Sequence, residues 1–227
     1  MPQDPLRGAT IVFDLDGTLV DTAPDLIRAL HAVMQEEGLA PPAPAALRHF
    51  VGHGARALLQ RGAALSGQEF SAPRLDALTE RFIGHYRAGI AELSRPFAGA
   101  EAALDALRAR GAILAVCTNK HTDLSLELLN ALGMAHRFAA IIGADAATRR
   151  KPDPQHVLET IFAARGQPHR AIMIGDTDAD VTAAKAASIP AIAVRFGYSL
   201  EVDALGADAI LEAYGDLPDL IDRLLPA

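Results

Sequence analysis

Two carboxylates one residue apart, Asp14 and Asp16, follow the apolar run Ile11-Val12-Phe13 and lead directly into Gly17-Thr18. Alternate side chains of an extended chain share a face and successive residues rise by about 3.3 Å, so Asp14 and Asp16 can converge on one small volume. Two further acids, Asp176 and Asp180, stand in Gly175-Asp176-Thr177-Asp178-Ala179-Asp180, again after an apolar run. Thr118 and Asn119 end a third run, and Lys151-Pro152-Asp153-Pro154 precedes a helical stretch. Hydroxyl, amide and ammonium groups beside several carboxylates are the equipment for binding and attacking an anionic, phosphate-like group. Four gathered carboxylates also need cations: two unit charges ~5 Å apart at an effective dielectric of ~20 repel by roughly 3 kcal/mol. A divalent ion together with Lys151 meets that need. Carboxylate oxygens without a His or Cys cluster favour Mg²⁺ over Zn²⁺.

Short β-branched runs predict strands at Ala9–Phe13, Ala112–Cys117, Phe138–Ile142, Ala171–Ile174 and Ala191–Val194. Between them, three-and-four apolar spacing predicts helices at Glu101–Arg110, Asp123–Leu132, Pro154–Arg165 and Asp178–Ala187, with Gly111, Gly133 and Gly166 where C-terminal caps belong. Alternation of this kind reads as an α/β chain, a Rossmann-like parallel sheet core with helices on both faces. Ligands of such sheets bind beyond the carboxyl ends of the strands, which is where the polar residues above fall.

From Val20 to about Arg95 the pattern is helical throughout: Thr22–Glu37, capped by Asp21 or Thr22, then Ala45–Gln60 and Pro73–Ile90. We therefore expect an α/β core of residues 1–19 and 96–227 carrying an inserted α-helical cap domain at 20–95. In that insertion, Val51-Gly52-His53-Gly54-Ala55-Arg56 lets backbone approach a ligand, and Arg56 is a candidate to grip a second anionic group. His49 and His53 read as surface or packing histidines, Arg149 and Arg150 as a solvated loop. Asp178 and Asp21 read as helix caps. Asp180 is either a first-turn acid or a site residue, and Lys120 is open.

The chain has 227 residues, half of them hydrophobic, enough for a substantial core. Its 28 acidic and 21 basic residues leave a net charge of -7, which argues against a nucleic-acid surface. No stretch approaches the ~18 apolar residues of a membrane span, and neither a basic leader nor a Cys pair is present; a cytoplasmic protein is expected. Cys117 reads as a buried small hydrophobe.

In order, Asp14-Leu15-Asp16-Gly17-Thr18, Thr118-Asn119, Lys151-Pro152 and Gly175-Asp176 through Asp180 resemble the four motifs of the haloacid dehalogenase-like superfamily over residues 9 to about 195. Val116-Cys117-Thr118-Asn119-Lys120 and Gly197-Tyr198 are similar to its phosphoglycolate phosphatase branch. The resemblance implies a nucleophile at Asp14 and a general acid at Asp16. It implies Mg²⁺ held by Asp14, the Asp16 main-chain carbonyl and Asp176, with Asp180 ordering metal-bound water or Lys151. Thr118, Asn119 and Lys151 would bind the phosphoryl oxygens. The implied activity is a Mg²⁺-dependent phosphomonoester hydrolase acting on a small phosphorylated metabolite, 2-phosphoglycolate first, through an aspartyl-phosphate. A β-phosphoglucomutase-type mutase and a pyrophosphatase or other phosphatase of the superfamily are the alternatives. All three lysines, Lys120, Lys151 and Lys185, lie outside the insertion. A phosphonoacetaldehyde hydrolase would need one inside it. Asp16 and the Asp176 cluster disfavour a 2-haloacid dehalogenase.

Overall fold

Six short strands run parallel in the order β5-β4-β1-β6-β7-β8 in the computed structural model, which describes Asp4 and residues 6–225. They are β1 Thr10–Phe13, β4 Ile113–Cys117, β5 Ala140–Ile142, β6 Ala171–Gly175, β7 Ala191–Val194 and β8 Ala209–Leu211. Strand pattern dictates two cores. Ile11 and Phe13 of β1, Leu114 and Val116 of β4, and Ile172 and Ile174 of β6 face one cluster. Val12, Cys117 and Met173, one residue out of phase, face the other. Helices α4 (Ala100–Ala109) and α8 (Leu217–Leu224) cover the first face, α6 (Pro154–Ala163) and α7 (Asp178–Ala186) the second; α5 (Thr122–Ala131) connects β4 to β5. Both faces are covered by helices, so the strands are apolar apart from Thr10 at the start of β1.

The strand order reverses beside β1: successive strands run outward through β4 to β5 on one side and through β6 and β7 to β8 on the other. The crevice of such a sheet opens between the two diverging arms, here at the carboxyl ends of β1 and β6. Asp14 and Asp176 are the next residues.

The chain leaves and re-enters the sheet through a two-residue antiparallel pair, β2 (Val20–Asp21) against β3 (Arg95–Pro96). Between them α1 (Ala23–Glu36), α2 (Ala55–Leu65) and α3 (Ala72–Ala88) share an apolar cluster of their own, built on Leu30, Met34, Leu58, Leu78 and Phe82. Leu124 and Tyr198 join it from the sheet side.

Several expectations are corrected. The helix expected over Ala45–Gln60 is two 3-10 turns, Pro44–Ala46 and Arg48–His53, followed by α2, because Gly54 takes φ +91° and restarts the chain as the N-cap. That conformation is open to glycine without steric cost. Gly166 does not cap α6; Arg165 takes the left-handed position at φ 61°, and Gly166 is small because a Cβ there would overlap the Thr10 hydroxyl. Thr177, not Asp178, is the N-cap of α7. Asp21 does not cap α1; the hydroxyl of Tyr198 accepts from the backbone N–H groups of Thr22 and Ala23 and donates to Asp21. Strand β8 was not anticipated, and Phe138 and Ala139 precede β5 rather than forming it. No helix among the described residues is long and apolar enough to cross a membrane.

Candidate active site

Asp14, Asp176 and Asp180 each bring a carboxylate oxygen to one point, the three atoms lying within 4.8 Å of one another. Among the described residues this is the one group of three or more metal-ligating side chains. Asp14 is delivered by β1, whose backbone continues the sheet through a hydrogen bond from Asp14 N to Ile174 O. Asp176 directly follows β6, and Asp180 stands in the first turn of α7. Close approach is written into the glycines: a Cβ on Gly17, at φ +82°, would overlap the Asp176 carboxylate and the Tyr198 ring.

The electrostatics are uneven. Lys151 Nζ is buried, 2.6 Å from Cys117 O, 2.6 Å from Asp180 Oδ1 and 3.0 Å from Asp14 Oδ1. Burial alone would favour the neutral amine, but Asp14 and Asp180 hold it protonated. Asp14 Oδ1 is nevertheless buried without a hydrogen bond, since Lys151 approaches it off the line of one. Burial pushes the Asp14 carboxyl up to about 7 against the pull of Lys151, with Asp180 and Asp16 adding to the rise. Asp176 accepts from Tyr198 N at 2.8 Å and from the Thr18 hydroxyl at 3.3 Å, yet burial, Asp14 and Asp180 place its pKa well above the carboxylate range. Three carboxylates face one ammonium, all donors are hard oxygens, and one oxygen lacks a partner. Such a set fits a bound metal cation.

Asp16 points to the other side of the turn. Its carboxylate pairs with Lys120 Nζ at 2.8 and 3.1 Å, and that ammonium sits 4.6 Å from the centre of the Tyr86 ring. Thr118 Oγ1 accepts from Lys120 N, and Asn119 Nδ2 donates to Lys151 O while its Oδ1 is buried without a partner. A cavity of about 450 Å³ joins these groups, with Asp14, Asp16, Thr118, Asn119 and Lys151 on the sheet side and Val51, Arg56, Phe82 and Tyr86 on the helical side. Arg56 thus lines the space but belongs to its far wall, where its guanidinium is paired with Asp76. His49 binds Tyr198 O, and Cys117 is buried with its thiol pushed up to about 12, as suits a packing residue. A wider groove of about 590 Å³, between α1 and the turn at Pro44, includes Ile27, His31 and Leu93 and gathers no acids.

Residues 11–194 match the haloacid dehalogenase-like hydrolase family. The chain belongs to that family. This haloacid dehalogenase-like hydrolase is 48% identical over 221 residues to a phosphoglycolate phosphatase of Caulobacter vibrioides, covering 97% of this chain and 93% of that protein. It is 42% identical over 219 residues to a phosphoglycolate phosphatase of Mesorhizobium japonicum, covering 96% of each. The crystal structure of a predicted phosphoglycolate phosphatase from Haemophilus somnus superposes with a TM-score of 0.86 at 27% identity, over 93% of this chain and 97% of that one. Sequence reasoning about this hydrolase left two site neighbours without a role. Lys120 stands in the Val116–Lys120 segment of the branch resemblance and Tyr198 in its Gly-Tyr pair, both without a role; their contacts with Asp16 and Asp176 are long-range.

Proposed function

We propose that the chain is a Mg²⁺-dependent phosphomonoester hydrolase whose substrate is a small phosphorylated metabolite, 2-phosphoglycolate foremost. The observation that carries this reading is Asp14 Oδ1, a buried carboxylate oxygen on a cavity wall with no hydrogen-bond donor of its own. A nucleophile needs a lone pair left free, whereas a structural carboxylate is normally satisfied by donors. The relatives at 48% and 42% identity supply the substrate class.

Asp14 attacks phosphorus, forming an Asp14 oxygen–phosphorus bond as the bond to the substrate's bridging oxygen breaks. Asp16 gives its proton to that departing oxygen and takes one back from the water that hydrolyses the aspartyl-phosphate. Thr118, Asn119 and Lys151 orient the phosphoryl oxygens, where positioning and charge supply most of the rate. Asp180 holds Lys151 to this task through the 2.6 Å contact. Asp14, the main-chain carbonyl of Asp16 and Asp176 would hold Mg²⁺, which supplies positive charge against the phosphoryl oxygens. The helical lobe, taken as residues 20–95, closes the cavity from above and excludes bulk water.

The test is phosphate release from a panel of phosphorylated metabolites, with Mg²⁺ and with EDTA. Turnover of 2-phosphoglycolate at the highest kcat/KM of the panel, lost in EDTA, is the expected result. Equal turnover with the metal removed would refute the metal dependence, and a better ester would replace the substrate.

A further inference from the structure

A phosphate ester of a 2-hydroxy acid carries a carboxylate whose carbon is two bonds from the bridging oxygen, so its oxygens lie roughly 3 Å from the atom that departs. Whatever receives that carboxylate must therefore stand beside Asp16, on the leaving-group side. Four cationic side chains line the cavity: Arg56, Lys120, Arg150 and Lys151. Lys151 gives two of its donors to Cys117 O and Asp180 and lies 3.0 Å from Asp14, on the nucleophile's side rather than the leaving group's. Arg150 is exposed, and Arg56 is 44% exposed on the far wall with Asp76 as its partner.

Lys120 differs in burial and in position, although it too is paired with an acid. Its side chain is 7% exposed, and its ammonium lies 2.8 Å from Asp16 Oδ1. Three donors emerge from that nitrogen; its carboxylate partner is Asp16, and the Tyr86 hydroxyl is within its reach. Against it lies Tyr86, whose buried hydroxyl has no partner beyond that ammonium. A buried ammonium and a hydroxyl with no other partner thus meet on the cavity wall, one from the sheet side and one from α3. Both border the group assigned to the departing oxygen.

We infer that Lys120, with the Tyr86 hydroxyl beside it, receives the carboxylate of the substrate and so selects short phosphorylated 2-hydroxy acids over esters that lack an anionic group at that place. The inference rests on the phosphatase reading above. Its physical basis is desolvation: a charge pair withdrawn from water attracts more strongly than the exposed Arg56 would, and a neutral ester would leave the buried donors unmatched. Placing one cavity donor on α3 also makes carboxylate binding a reason for the lobe to close.

The holoenzyme with Mg²⁺ is assayed on 2-phosphoglycolate and on ethyl phosphate, which keeps the leaving carbon and lacks the carboxylate. Lys120→Met should lower kcat/KM on phosphoglycolate about 20-fold more than on ethyl phosphate, whose own loss reports the contact of Lys120 with Asp16. Tyr86→Phe should lower the ratio of the two by about 5-fold. The ratio is measured on one preparation, so it does not depend on how much of a variant has folded, and Lys120→Arg should recover part of it. Equal losses on both esters would show Lys120 acting only through Asp16 and would overturn the inference. Collapse of the ratio in Arg56→Gln, with Lys120→Met retaining it, would overturn it in favour of the far wall. A wild-type enzyme with no preference for phosphoglycolate would overturn the substrate reading and the inference together, whereas a preference that survives in Lys120→Met would overturn the inference alone.

Discussion

Asp14 at the sheet rim and Asp25 at the base of the helical lobe are both carboxylates withdrawn from water, 8% and 0% exposed, and they are treated in opposite ways. Asp25 accepts from Leu93 N at 3.0 Å, from Ser94 N and Oγ at 2.7 Å each, and from Arg28. Burial would raise its pKa, yet these bonds, the Ser94 hydroxyl and amide foremost, take it below the ordinary range. Asp14 keeps a buried oxygen without a donor and rises to about 7. Where a carboxylate is given N–H and O–H groups it pins structure, here α1 to the segment returning to the sheet. Where donors are withheld, the charge is left available, and in the function we propose it serves a cation and phosphorus.

The largest effect separating the two regions should come from Asp14→Asn. Loss of the nucleophile should cut turnover of phosphate esters by about 10⁴-fold or more. Melting of the metal-free protein should hold or rise, because the amide ends the repulsion with Asp176 and Asp180. Thermal denaturation in EDTA beside a phosphate-release assay reads both quantities. Near-normal activity would remove Asp14 as nucleophile; a large fall in melting temperature would make the rim a structural network like the base.

At the base the order of effects reverses. Asp25→Ala strands the donors of Leu93 and Ser94 and should cost about 3 kcal/mol, roughly 10 °C in melting temperature. Activity per folded molecule should fall far less than in Asp14→Asn. The pH dependence has a definite sign. Because the folded pKa of Asp25 is depressed, its contribution is fully present above the unfolded value of about 3.9 and disappears as pH falls through the lower folded value. The gap between wild type and Asp25→Ala should therefore be constant from neutrality to about pH 5 and close below about pH 4. A gap that widened in acid would contradict the hydrogen-bond account.

Next in size is the response to a divalent ion, which the rim should show and the base should not. Mg²⁺ at 100 times its dissociation constant should stabilise the fold by about 2.7 kcal/mol. Asp176→Asn should erase most of that increment, and Asp25→Asn should leave it intact on a lower baseline. Calorimetric melting with and without Mg²⁺ decides the matter without reference to turnover. An increment equal in both variants would separate the metal from the rim acids.

What could be read from sequence follows the same division. β1 and β6 were legible because apolar, β-branched runs permit little else, and Asp14, Asp16 and Asp176 were legible because acids at the end of such runs oppose core formation. Pairings were not legible. Lys120 and Asp16 are 104 positions apart, and Arg56 finds Asp76 across two helices, so residue type alone does not say which acid a cation meets. Glycine was misread where its reason was ambiguous: Gly166 avoids Thr10 rather than capping α6, and Gly54 interrupts an apolar periodicity that runs on through it. Three-residue β8 offers too few residues for any period to register.

The smallest predicted effect lies where the two treatments meet in one carboxylate. Asp180 Oδ2 accepts from Thr177 N at 3.0 Å and from Thr177 Oγ1 at 2.7 Å, completing the capping box of α7, while its Oδ1 holds Lys151. One oxygen is pinned as at Asp25; the other serves the site. Thr177→Ala should cost about 1 kcal/mol of stability and lower kcat/KM by less than about 10-fold, with Thr177→Ser close to wild type in both. A stability loss without any change in turnover would mean that Lys151 orients Asp180 unaided. Turnover reduced more than about 100-fold at unchanged stability would mean that the capping box exists for Lys151 rather than for the helix, and the distinction between pinned and withheld carboxylates would then fail within a single side chain.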